Sequence, residues 1–341
     1  MNGTERIMAT LTGQPIDRRA VNLVLSLYGA RLTEVPLDRY FTDPAEYVRG
    51  QAAIRTIFDP DIMYGPFAFA IIAAAFGCKI RWHNDQAPTV CNPAVGSGEE
   101  MYRLLPPDPD THPHLLFIRE ATRRMVEEYR GEVSIAVPMP PPIDLPTLIM
   151  GIDAWLDLVL FDPEGASRVL GIISDFIVRF ANCLFADGAN FMAMPCAFGS
   201  PAIVTREMLT DFSRPALIAA YSQFNGPVVL HHGGAPILKH LDLLTGLPQV
   251  VGYVVDQNDD LDKARTIIGE APVLIGGLNA PGMADMTAAQ VERHCLSVLK
   301  NRRDDLHFIL GTCAPDVPLE TPPENISAIK RAAEIFAGGE S

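Results

Sequence analysis

What the chain lacks narrows its chemistry first. It has no basic run of useful length, and Asp and Glu outnumber Lys and Arg 41 to 27, for a net charge of −14. Nucleic acid, whose phosphates demand a cationic footprint, is therefore excluded as a partner. There is no Gly-x-Gly-x-x-Gly, no phosphate loop with Lys and Ser or Thr, and no Gly-x-Ser-x-Gly elbow. Dinucleotide, nucleotide and serine-hydrolase readings lose their usual signatures with them. The opening MNGTERIMATLTGQ carries Glu5 and Arg6 where a secretory signal needs an unbroken apolar region, so no signal peptide is expected. Apolar stretches are read as broken by Pro, Gly or charge before they reach bilayer length, so no membrane span is expected. The six cysteines, at 78, 91, 183, 196, 295 and 313, form no dense disulfide framework. A reducing, cytoplasmic setting is the expectation.

What is present suits a large α/β core. The chain has 341 residues, 48% of them hydrophobic, with 26 Gly and 29 Pro to make many short connections. Strand-like segments fall at 20–25, 61–65, 133–138, 190–194, 228–232, 250–255, 273–275 and 306–310, nearly all followed by helical patterns. Asp43-Pro44 and Asp162-Pro163 are helix starts, each with an Asp cap and Pro in the first turn. Eight strand–helix units predict one (β/α)8 TIM barrel over residues 1–341, with an N-terminal extension over one end. An open doubly wound sheet is the alternative. Residues 78–113 are irregular and proline-rich, and read as a hairpin or excursion near the barrel mouth.

The sharpest stretch is Val228-Val229-Leu230-His231-His232-Gly233-Gly234-Ala235, a buried strand delivering two imidazoles to a glycine turn. Alternation along a strand predicts that His231 and His232 face opposite sides. In a parallel barrel the strand C-terminal ends share one face, where chemistry lives. That face would gather Cys196, His231, His232, Asp256, Asn279 and Cys313, with Gly233, Gly234 and Gly277 admitting a ligand to the backbone. Thiols and an imidazole at neighbouring strand ends suit zinc with an open position. The same residues also suit a plain core of two cysteines and a satisfied histidine.

Several stretches carry a resemblance. They are Glu5-Arg6-Ile7-Met8-Ala9-Thr10-Leu11-Thr12-Gly13, Asp187-Gly188-Ala189, Leu230-His231-His232-Gly233-Gly234 and Gly277-Leu278-Asn279-Ala280-Pro281. A longer one begins Gly311-Thr312-Cys313-Ala314-Pro315-Asp316 and runs on through Ile326. In these the chain resembles the uroporphyrinogen decarboxylase superfamily, which includes cobalamin-dependent methyltransferases acting on coenzyme M. The decarboxylase branch carries an Arg-Gln-Ala-Gly-Arg-Tyr stretch, and here the region reads Leu25-Ser26-Leu27-Tyr28-Gly29-Ala30-Arg31, without the first arginine. The decarboxylase aspartate after the second strand is also absent from Tyr64-Gly65-Pro66-Phe67-Ala68-Phe69.

The resemblance therefore implies the methyltransferase branch. Such an enzyme moves a methyl group between a corrinoid and a thiol or related acceptor, with zinc holding the thiolate. That branch holds zinc through a His-x-Cys pair and a later Cys. His231 and Cys313 match two of these, and Gly233 stands where the first cysteine would be. Cys196 is the expected third metal ligand and His232 the reserve, with Asp256 holding a free imidazole N–H. No Asp-x-His-x-x-Gly segment is present to hold a corrinoid from below, so the methylcorrinoid is expected on a separate protein. A lyase or decarboxylase on a small carboxylic acid, and a non-catalytic corrinoid- or tetrapyrrole-binding subunit, are the alternatives.

Overall fold

A computed structural model describes residues 1–313 and 316–339. Eight parallel strands run in the order β1 (Val21–Asn22), β10 (Phe308–Thr312), β9 (Val273–Leu278), β8 (Val250–Val254), β7 (Val228–His231), β6 (Phe191–Pro195), β5 (Ser134–Pro138) and β2 (Ile62–Tyr64). Helices cover their outer face, making a nearly closed α/β barrel. The seam lies between β1 and β2, where side chains take over from a backbone ladder. Tyr64 Oη donates to Asn22 Oδ1 at 2.6 Å, and Asp61 Oδ2 accepts the Val21 N–H at 2.8 Å.

The barrel interior is apolar. Val24, Ile62, Tyr64, Ala136, Phe191, Val254, Ile275 and Ile309 form one buried cluster inside the strands. Ile7 joins that cluster from α1 (Gly3–Leu11), which is set on the N-terminal side by the Thr4 N–H to Glu132 carbonyl bond. A capping box of Asn2 and Glu5 starts this helix. Beside it Asp61, 1% exposed, pairs with Arg6 at 2.5 Å and Arg18 at 2.7 Å. Three charged groups are thus buried together on the side of the barrel away from the strand C-terminal ends.

Tyr28-Gly29 opens α2 (Tyr28–Thr33). Gly29 lets this helix lie against α3 (Pro44–Phe58): a Cβ on Gly29 would stand 2.8 Å from the Gly50 carbonyl carbon. The long helix Pro163–Ala186 is apolar and long enough, by length and composition, to cross a membrane, unlike the stretches expected from the sequence. Here its apolar side packs into the helical layer, with Val169, Ile173, Ile177 and Phe180 buried. His231 and His232 do not face opposite sides. β7 ends at His231, Gly233 then turns at φ +72°, and the two rings stack with centroids 4.2 Å apart.

Residues 78–113 contain a two-stranded antiparallel hairpin, β3 (Lys79–Arg81) and β4 (Thr89–Asn92), and one turn of helix, Gly98–Met101. The hairpin lies over the C-terminal side of the barrel, where its residues 86–90 face the segment after β2 across a cavity.

Candidate functional site at the barrel mouth

The β7 end builds the centre of the site. The Gly233 N–H donates to His231 Nδ1 and the Gly234 N–H to His232 Nδ1, both at 3.1 Å. In the neutral imidazole an acceptor Nδ1 leaves the proton on Nε2. His232 Nε2 is spent on the Cys313 carbonyl oxygen. His231 Nε2 is buried and makes no hydrogen bond of good geometry among the described residues, the Cys313 backbone being the polar group beside the ring. Burial, reinforced by the neighbouring His232 ring, holds the His231 pKa well below the ordinary histidine range, so His231 is neutral at pH 7.

The remaining expected residues do not converge on it. Cys196 is 1% exposed, its thiol 2.9 Å from where a Cβ on Gly199 would stand, and burial raises its pKa strongly. Cys313 is also buried, its thiol 3.7 Å from where a Cβ on Gly276 would stand, with its pKa pushed up to about 11 by burial. Asp256 lies 3.6 Å from His232 Nδ1, but that nitrogen already accepts from Gly234, so it has no N–H for Asp256 to hold. Asp256 instead accepts from the backbone N–H and the Nδ2 of Asn258 and shapes its own turn. Asn279 is exposed and accepts from the Gly282 N–H. Gly277, at φ +102°, faces the outer helix Ala288–Asn301: a Cβ there would stand 2.8 Å from Val298.

Zinc does not fit this arrangement. Among the described residues no group of three or more His, Cys, Asp or Glu side chains is placed to hold a metal ion. The expected set of His231, Cys313, Cys196 and His232 offers one free imidazole nitrogen and two thiols packed elsewhere, where a zinc site needs three or four convergent donors. Gly233 explains part of this. A Cβ there would stand 2.5 Å from Ala197 N and 2.6 Å from the Cys196 carbonyl carbon, so the loop after β6 occupies the space a cysteine would need. Gly234, by contrast, has no atom of the described residues within 4 Å of a Cβ position.

Two carboxyls escaped the sequence reading. Asp144, reached from β5 through Pro140-Pro141-Pro142, accepts the Ala197 N–H at 2.6 Å and the Phe198 N–H at 3.0 Å. Burial pushes its pKa up to about 7 despite those bonds, a value suited to proton exchange near neutrality. Asp316, half-buried, accepts from Leu27 N–H at 2.8 Å and Val317 N–H at 3.0 Å, and burial again raises its pKa well above the carboxylate range. The Pro-rich run after a strand signalled the first, and the Cys-Ala-Pro-Asp stretch contained the second.

Asp316 also borders a cavity of about 620 Å³ between the hairpin and the barrel, lined by Leu27, Phe67, Phe69, Pro88 and Leu148 among others.

Comparisons with known proteins agree with this architecture. The family described as "Uroporphyrinogen decarboxylase (URO-D)" matches residues 2–335. A methylcobamide:CoM methyltransferase, MtbA, of Methanosarcina acetivorans is 27% identical over 290 residues, covering 81% of this chain and 82% of that protein. A methylated-thiol–coenzyme M methyltransferase of Methanosarcina mazei is 23% identical over 273 residues, covering 79% and 71%. The solved structure of a methyltransferase from M. mazei superposes with a TM-score of 0.88 at 19% identity, covering 98% of this chain and 99% of the other.

Proposed function

The chain belongs to the uroporphyrinogen decarboxylase family, and from that premise we propose that it is a methyltransferase working between a corrinoid and a small thiol or related acceptor. Its curated relatives carry out methyl transfer involving coenzyme M, and two thirds or more of each is covered. The observation that carries the reading is His231: a buried, neutral imidazole at the end of β7 whose Nε2–H has no well-formed hydrogen bond among the described residues. A buried donor without a partner is costly unless a ligand completes it.

In this reading the Nε2–H donates to the acceptor sulfur, which favours its thiolate form. The thiolate takes the methyl group as a methyl cation equivalent. The cobalt–carbon electron pair stays on cobalt, and the thiol proton goes to solvent or to a neighbouring carboxyl. The corrinoid is a substrate supplied by a separate protein, and its approach is across the open side of Gly234. No step is assigned to zinc, because the donors do not assemble.

The test is incubation of the purified chain with methylcob(III)alamin and a thiol. Loss of the methylcorrinoid spectrum with equimolar thioether is the expected result. His231→Ala is expected to lower kcat/KM by about 10²–10³, the usual cost of one lost donor to a developing anion. His231→Gln, which keeps an N–H, is expected to retain more. Carbon dioxide release from a small carboxylic acid, with no methyl transfer, would favour a lyase instead.

A further inference from the structure

We propose that the cavity between the 79–92 hairpin and the barrel mouth binds an uncharged, largely apolar, ring-sized molecule and discriminates against an anionic one.

The volume, about 620 Å³, lies within the range of small-molecule pockets. The cavity opens at the C-terminal face of the strands, where barrels carry their ligands. Its walls come from both the barrel and the hairpin: Leu27 follows β1, Phe67 and Phe69 follow β2, and Pro88 belongs to the hairpin turn. Phe67 and Phe69 stand with ring centroids 4.9 Å apart at 55°, a tilted aromatic wall that offers a face and an edge to an incoming ring. The Phe67 N–H donates to Ser26 Oγ at 2.8 Å, which fixes that wall to the loop after β1.

Charge decides the ligand class. Among the described residues the lining contains no Lys, Arg or His, and its only ionisable side chain is Asp316. A sulfonate or carboxylate entering here would surrender its water and meet no cation, with a carboxyl as its nearest polar neighbour. A cation would find a carboxyl whose two oxygens already accept backbone N–H groups. A neutral molecule loses little on entry and gains the apolar walls. Burial favours the protonated carboxyl, which then has an O–H to offer a ligand oxygen or sulfur.

The experiment is calorimetric titration of the full chain with phenylmethanethiol and with 2-mercaptoethanesulfonate, without corrinoid. Phenylmethanethiol is expected to bind at one site at least about 10-fold more tightly than the sulfonate. Ala87→Trp, which fills the cavity from the hairpin side, is expected to weaken phenylmethanethiol about 10-fold or more. Gln86→Arg, at an exposed position of the lining, is expected to bring the sulfonate within about 3-fold of the neutral thiol, and it serves if Ala87→Trp does not fold. Equal or tighter sulfonate binding to the parent, or neutral binding untouched by a folded Ala87→Trp, overturns the proposal.

Discussion

Replacing Gly233 by alanine tests whether the β6 and β7 loops meet as closely as the site requires. The added Cβ would stand 2.5 Å from Ala197 N, 2.6 Å from the Cys196 carbonyl carbon and 2.8 Å from Ala197 Cα, all backbone atoms that cannot swing away. The Ala197 and Phe198 N–H groups are also tied to Asp144, so moving the loop breaks those bonds. Two costs add. Holding a non-glycine residue at φ +72° costs about 1–2 kcal/mol. Forcing a methyl group into occupied space costs a further ~1–3 kcal/mol. The expected loss is therefore about 2–5 kcal/mol. Gly234→Ala is the internal control: φ is +101°, but no atom of the described residues lies within 4 Å, so only the conformational cost of about 1–2 kcal/mol remains. Urea unfolding with an unchanged m-value reads the difference directly. Gly233→Cys is expected to be destabilised like the alanine variant and to copurify with no stoichiometric zinc. If Gly233→Ala loses no more stability than Gly234→Ala, the close approach of the two loops is wrong, and with it the reason a cysteine is missing.

Other perturbations follow from the same geometry. Asp61→Asn leaves the buried Arg6 and Arg18 guanidiniums short of their carboxylate and is expected to cost ~3–5 kcal/mol in chemical unfolding, with no direct contact to the mouth. Ile7→Ala opens a void at the N-terminal side of the barrel interior and is expected to cost about 2–5 kcal/mol by the same measurement. Asp144 has a folded-state pKa of about 7, above the ~3.9 of an unfolded aspartate. Its contribution to stability is thus fully present below about pH 4 and is lost as the pH rises through about 7. Melting temperatures across pH 4–8 are expected to show the parent weakening relative to Asp144→Asn over that window, and a constant difference would refute the raised pKa.

The strand–helix rhythm was legible because each barrel strand is a short apolar run bounded by turn residues. The strands from β5 to β10 lie within a few residues of their expected places. β1 and β2 came out shorter, because they border the seam, where Tyr64–Asn22 and Asp61–Val21 contacts stand in for a ladder that periodicity cannot anticipate. The position of His231 at a strand end was legible too. Its relation to His232 was not, since alternation stops with the strand and the turn at Gly233 decides where the next ring goes. Cys196 shows the limit of reasoning from strand ends alone. One residue past β6, the chain enters a helical turn, and the buried thiol lies beside Gly199 of that turn. Asp144 and Asp316 were missed because only backbone amides brought together by the fold give those carboxyls their setting.

The fate of one methyl group tests the proposed function most directly. Methylcob(III)alamin carrying a ¹³C methyl is incubated with the purified chain and phenylmethanethiol, and the carbon is followed by NMR. Methyl transfer requires that the label leave cobalt and appear on sulfur as the methyl thioether, with a rate that His231→Ala lowers by about 10²–10³. A label that stays on cobalt with neutral and anionic thiols alike, or moves equally fast without the His231 imidazole, would contradict it.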